Sequence, residues 1–346
     1  MKRVLYIDGP FGISGDMLVA ALLDMGADYE KLTKVLHSLE VKGFQTKVSR
    51  VKKSGLDMCD FLVELDEVHE NHDHDMAYLH GHEHHEHEHH HEHEHHHDHA
   101  HHHEHEHSHH HHHHEHRGMG EIRHIIHHSA MSEEAQKLAL KIFQVLAQAE
   151  AKAHGTDVEQ VHFHEVGAVD SIVDIVSIAV CMESLAIDDV VVDTLVDGHG
   201  TIRCQHGIMA VPVPAVTHIV ADNGLKLRLS HVEGELVTPT GAAAAAALRT
   251  MDKLPASYRV AGVGMGAGKR EYEVPTFLRL LLLEAETELS EDEILKIETN
   301  IDDSNGETLG LVQELLLSAG ALDVFFTSIY MKKNRPAYML TVLCQP

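Results

Sequence analysis

The chain has 346 residues, enough for two modest domains, with 43% hydrophobic residues, 4% aromatics and no Trp. Its formal net charge of -28, with His neutral, argues against nucleic acid or an anionic membrane as partner. No apolar run approaches the ~20 residues of a membrane span, no targeting segment precedes Asp8, and Cys59, Cys181, Cys204 and Cys344 form no CxxC, so a cytoplasmic protein with reduced thiols is expected.

Residues 4–8 (VLYID) predict a buried strand, and a glycine loop from Gly9 to Asp16 leads into an apolar helix closed by Gly26. A strand, a glycine loop and a helix start make an anion-binding corner, because free backbone N–H groups point out of the helix. Ser14, Gly15 and Asp16 are the candidates there; Ser14 and Asp16 read equally well as ordinary caps. The loop lacks GK[ST] and is not a Walker motif. A hairpin over 45–52 and 58–66 follows, turning at Lys53-Ser54-Gly55.

The stretch 69–117 is a low-complexity His/Glu/Asp tract that holds 28 of the 39 histidines. With almost no apolar residues it cannot bury enough surface to fold, so it is expected to be a disordered insertion. Its imidazoles, mostly neutral at pH 7, suit Ni, Cu or Zn, and their softness alone does not choose among these. A short helix over 120–128 and a long amphipathic one from Ser132 to about His154, closed by Gly155, come next.

The stretch VHFHEVGAVDSIVDIV, 161–176, concentrates the chemistry. Strand alternation sets His162 and His164 on one face, and Glu165 and a turn precede a helix that Asp170 is expected to cap. That helix is apolar almost all round, with Asp174 one turn inside on the side of Asp170. A carboxylate on a buried helix is costly unless it meets a partner or a cation, so the junction is a candidate metal or acid/base site. Strands around 190–194 and 196–200 lead to His199 and His206, placed in glycine-rich turns from which an imidazole can reach a pocket.

A helix from Pro214, a strand in GELV, and an alanine-rich helix come next; Thr240 would cap that helix, whose start could also hold a phosphate. The glycine run GVGMGAGKR, 262–270, reads as a loop with a weak phosphate signal, and FLRLLLLEAE as a buried strand. Beyond a polar linker the order is strand, helix, strand, strand, which predicts the first two-thirds of a ferredoxin-like plait. Asp302 and Asp303 suit a hard cation such as Mg²⁺, and Lys332, Lys333 and Arg335 read as either a solvated turn or a triphosphate clamp. The expected architecture is therefore an α/β (α+β) body, 1–286, carrying the His-rich insertion 69–117, followed by an incomplete ferredoxin-like unit, 292–346.

DGPFGISGDMLVAALLDMG, HFHEVGAVDSIVDIV, the HG…PVPA turn, GELVTPTGAAAA, ETNIDD and MKKNRP together resemble the nickel-pincer cofactor biosynthesis family. The resemblance implies a nickel insertase that places Ni²⁺ in the S–C–S pincer of pyridinium-3,5-bisthiocarboxylic acid mononucleotide. It implies CTP with Mg²⁺ or Mn²⁺, a cytidylylated intermediate, and a cofactor destined for a lactate racemase-type apoenzyme. It maps the nucleotide-binding half onto Asp302, Asp303, Lys332, Lys333 and Arg335. Family members usually run past MKKNRP, so a truncated nucleotide domain is expected, with a separate C-terminal product as partner; a homo-oligomer is also expected.

Forming a nickel–carbon bond requires loss of a ring proton, for which His164 or Glu165 is the candidate base. His162, Asp170 and Asp174 would hold or relay the metal, and Ser14–Asp16 would take the phosphate. The rival reading is a non-enzymatic His-rich nickel store or a metallochaperone. A GTPase-type chaperone is disfavoured because no P-loop exists.

Overall fold

β1 (Lys2–Asp8) is the last strand but one of a six-stranded sheet in the computed structural model, which describes residues 1–66, 117–163, 169–204, 206–285 and 294–345. The predicted His-rich insertion lies outside the described residues except at Arg117, as do His164 and Glu165 and the side chains of His162 and Phe163. The chain divides into two units, 1–286 and 287–346.

In unit 1, β1 is followed by α1 (Gly15–Asp24) and α2 (Tyr29–Ser38), the latter capped by the Asp28 carboxylate, which accepts from the Lys31 amide at 2.9 Å. β2 (Phe44–Lys53) and β3 (Leu56–Leu65) pair antiparallel about Ser54-Gly55, both at positive φ, as a tight turn requires. Next come β4 (Arg117–Gly118), α3 (Met119–His127) and α4 (Glu133–His154). The Ser132 hydroxyl accepts from the Ala135 amide at one end of α4, and left-handed Gly155 closes the other.

β5 (His162–Phe163) pairs with β4 and precedes α5 (Val169–Ser184). The remainder runs β6 (Asp189–Val192), β7 (Leu195–His199), β8 (Thr201–Cys204), β9 (Gly207–Ala210), α6 (Pro214–Asp222), β10 (Leu227–Glu233), α7 (Pro239–Leu248), β11 (Tyr258–Ala267) and β12 (Phe277–Ala285). Sheet order is β2-β3-β11-β12-β1-β6, with β1–β6 parallel and β1–β12 and β11–β12 antiparallel. β7–β10 and β8–β9 form two further ribbons.

One continuous core joins the sheet to its helices. Leu5 and Ile7 of β1, Leu18 and Leu22 of α1, Phe143 of α4 and Ile175 of α5 are all sealed from solvent. The predicted strand in GELV is absent: among its residues only Val237 bridges, to Ile13, and the strand ends before it at Glu233. Residues 262–267 of the glycine run expected to be a loop belong to strand β11, and only 268–270 lie beyond it. A Cβ at Gly264 or Gly266 would strike the backbone of α1 at Ala21 or Met17, so the glycines let helix and sheet meet backbone to backbone.

Unit 2 contains β13 (Leu295–Ile301), α8 (Gly306–Ser318), β14 (Asp323–Met331) and β15 (Arg335–Cys344). The three strands form an antiparallel sheet in the order β13-β15-β14. Asn305 caps α8, its side chain accepting from the Thr308 amide at 2.9 Å, and Val324, Leu340 and Val342 form a small core under the helix.

Candidate functional site

Three helix starts converge on one cleft of unit 1. Gly15 and Asp16 open α1, Asp170, Ser171 and Asp174 occupy the first turns of α5, and Thr238, Pro239 and Thr240 open α7. The convergence has a visible cause. Ile13 donates to the Leu236 carbonyl and accepts from the Thr238 amide, both at 3.0 Å, which ties the entrance of α1 to that of α7. Gly241 packs so closely on Ile13 and Ser14 that a side chain would not fit. The cleft measures about 1080 Å³ with its open mouth included.

The sequence-predicted caps fall slightly elsewhere. Thr238 caps α7, accepting from the Gly241 amide at 3.2 Å, while Thr240 lies inside the first turn, buried, with its hydroxyl 3.5 Å from that of Ser171. Asp170 is not the cap of α5 either, because the helix already includes Val169. Ser14 stands at the cap position of α1 but makes no capping bond; its hydroxyl donates to Asp16 instead.

Asp16, Asp170 and Asp174 thus share one cleft, each near a positive helix end that favours negative charge. Asp16 is 8% exposed, and its Oδ2 has no hydrogen-bond donor. Asp174 has a solvent-sealed Oδ1 that also lacks one. Burial first, then the charges of Asp16 and Asp170, push the Asp174 carboxyl well above the usual carboxylate range.

Positive charge comes from the end of β11. The Lys269 ammonium donates to Asp60 and to the Phe61 carbonyl, the latter at 2.7 Å, and lies 3.8 Å from Asp16 Oδ2. Arg270 pairs with Glu235, which is 4% exposed, and Tyr272 donates to the Glu235 carbonyl at 3.0 Å. Behind them Asp197, fully buried, accepts at Oδ1 from the amides of Gly198 and Leu236 at 2.8 Å and of Val237 at 3.0 Å. Burial pushes its carboxyl up despite these bonds. Asp197 therefore fixes the segment that carries Glu235 and Thr238.

The cleft can accordingly hold a cation against carboxylates and an anionic group against helix ends, Lys269 and Arg270. Among the described residues, no three of His, Cys, Asp and Glu are grouped as a ready-made metal-holding set. His199 and His206 do not line the cleft: His199 Nε2 is 3.1 Å from the His231 carbonyl, and His206 is exposed at the β8–β9 turn. Sequence reading missed Asp60, Glu235 and Asp197, and the basic pair closing the glycine run was the only signal for Lys269 and Arg270.

In unit 2, Asp302 and Asp303 directly follow β13, and Lys332 and Lys333 form the turn between β14 and β15. Arg335 Nη1 lies 3.8 Å from Asp302 Oδ2, so the acidic strand end and the basic turn are neighbours. Lys333 and Asn334 sit at positive φ, 61° and 58°, which turns the chain sharply there. Among the described residues, no helix is long and apolar enough to cross a membrane.

The family model described as nickel insertion protein matches residues 5–346. The chain is 46% identical over 359 residues to the pyridinium-3,5-bisthiocarboxylic acid mononucleotide nickel insertion protein of Alkaliphilus metalliredigens, covering 99% of this chain and 79% of the relative. To the protein of the same name from Acetivibrio thermocellus it is 38% identical over 342 residues, covering 99% and 75%. Among solved structures, the apo C-terminal domain of a cyclometallase involved in synthesis of the NPN cofactor of lactate racemase is 62% identical over 15% of this chain and 36% of that one, with a TM-score of 0.15.

Proposed function

The chain belongs to the nickel insertion protein family, and from that premise we propose that it inserts Ni²⁺ into pyridinium-3,5-bisthiocarboxylic acid mononucleotide within the unit 1 cleft. The observation that carries the reading is the meeting of Asp16, Asp170 and Asp174 beside Lys269 and Arg270 in that cleft. Nickel is the substrate metal. Carboxylate oxygens hold it less firmly than sulfur does, so an ion resting on Asp170 and Asp174 would pass readily to the two sulfurs of the pincer. The mononucleotide phosphate suits the helix starts at Ser14–Asp16 and at Thr240, because a helix N-terminus favours an anion.

Ring-proton removal needs a base close to the metal. His164 and Glu165 remain our candidates, with His162 as a further metal donor; α5 begins at Val169, shortly after them in sequence. We further read unit 2 as the first two-thirds of a ferredoxin-like plait, supported by its strand order. Its role would be to hold CTP with Mg²⁺ or Mn²⁺ between Asp302 and Asp303 on one side and Lys332, Lys333 and Arg335 on the other. The cofactor would go to a lactate racemase-type apoenzyme, in the cytoplasm and from a homo-oligomer.

Mass spectrometry of the chain incubated with the thiolated mononucleotide, CTP and Ni²⁺ tests this. A nickel-containing product formed by the wild type and lost in Asp174→Asn supports it; equal yields from both would remove the cleft from the mechanism. Deleting 69–117 separates insertase from store, because an insertase keeps its yield when Ni²⁺ is plentiful.

A further inference from the structure

The β8–β9 ribbon carries a second set of donors at the rim of the cleft. Its register pairs Cys204 with Gly207 and Ile202 with Met209, so Cys204 and Met209 lie diagonally on one face. Cys204 Sγ is 3.2 Å from Met209 Sδ and 4.0 Å from His206 Nδ1. The His154 ring, at the end of α4, stands with its centroid 4.9 Å from that of His206. Cys204 and Ile202 line the cleft, while His206 faces solvent.

We propose that Cys204, His206 and Met209 form a thiolate–imidazole–thioether loading site for Ni²⁺ at the mouth of the cleft, from which the metal passes to the substrate's sulfurs. This rests on the nickel-insertion reading above. The donor spacing fits one ion: metal–sulfur and metal–nitrogen bonds of about 2.3 and 2.1 Å together span more than 4.0 Å. The donor types fit as well, since soft sulfur and imidazole ligands suit a late transition metal and not Mg²⁺ or Ca²⁺. Binding replaces the Cys204 thiol proton, which leaves to water, by a sulfur–nickel bond. Three protein donors leave coordination positions open for incoming sulfurs.

The remaining thiols limit what else could answer. Burial pushes the Cys59 thiol up to about 11 and the Cys181 thiol up to about 12, so both stay protonated and inert. The His-rich tract contains no cysteine. A sulfur-to-metal charge-transfer band therefore distinguishes this site from every imidazole in the tract.

The experiment titrates the full chain with Ni²⁺, without nucleotide, and reads that band. The expected result is a saturable band, lost in Cys204→Ser and kept in Cys344→Ser. Its affinity should fall at least tenfold in His206→Ala, a change at an exposed turn that leaves folding intact, and severalfold in Met209→Leu. Absence of the band, or its loss in Cys344→Ser with retention in Cys204→Ser, overturns the site. Pincer product without the band overturns the loading site and leaves insertion standing. The band without product supports the site and removes insertion.

Discussion

The Asp174 carboxylate rests on the first turn of α1, in the space that a side chain at Gly15 would occupy. Gly15→Ala should therefore displace Asp174 and strain the α1–α5 contact, at a cost of about 1–3 kcal/mol. Denaturant unfolding reads the stability loss, and product yield should drop at least tenfold. Wild-type yield in this variant would show that Asp174 does not need its present position.

The raised Asp174 carboxyl has a consequence for pH. Its folded-state pKa lies above the unfolded one, so its contribution to stability is fully present below the ordinary carboxylate range and is lost as pH rises through the raised value. Asp174→Asn removes that dependence. Metal-free wild type should lose stability relative to the variant by up to about 1.4 kcal/mol per pH unit within that window. Paired urea titrations at several pH values check this, and parallel curves would contradict it.

Lys269 is the cation nearest both Asp16 and Asp60. Lys269→Met should leave two largely buried carboxylates uncompensated and cost about 3–5 kcal/mol. Its thermal midpoint should fall, and part of the loss should return in Lys269→Met with Asp60→Asn, because that double variant removes one of the stranded charges.

Asp197 binds three backbone amides through one oxygen. Asp197→Ala should leave them as buried donors, each costing about 1–3 kcal/mol. Asp197→Asn keeps an acceptor oxygen and should lose much less. Hydrogen exchange at Leu236 and Val237 should report the difference directly, rising sharply in the alanine variant alone.

In unit 2, Arg335→Ala should weaken CTP binding about tenfold in the presence of Mg²⁺, equivalent to about 1.4 kcal/mol. Calorimetry on the full chain measures it. Unchanged affinity would leave the 332–335 turn as a solvated surface feature.

What could be read from the sequence was mostly local. Helix α4 announced itself through Ser132 and Gly155, and Asp174 through a lone carboxylate in an apolar helix. Thr238 and Thr240 are equally able to cap, so sequence alone could not choose between them. The Lys269–Asp60 pair spans 209 positions and leaves no local trace. The glycines of β11 look like loop punctuation until the helix pressed on them is known; only then does the missing side chain become the reason for a strand.

That close seat of α1 on Gly264 and Gly266 gives the protein a rear adjustment. A methyl group at either position would act as a shim, lifting the helix and its acidic end away from the floor on which they stand. The gap in front can thus be tuned from behind, by residues that touch neither ion nor nucleotide.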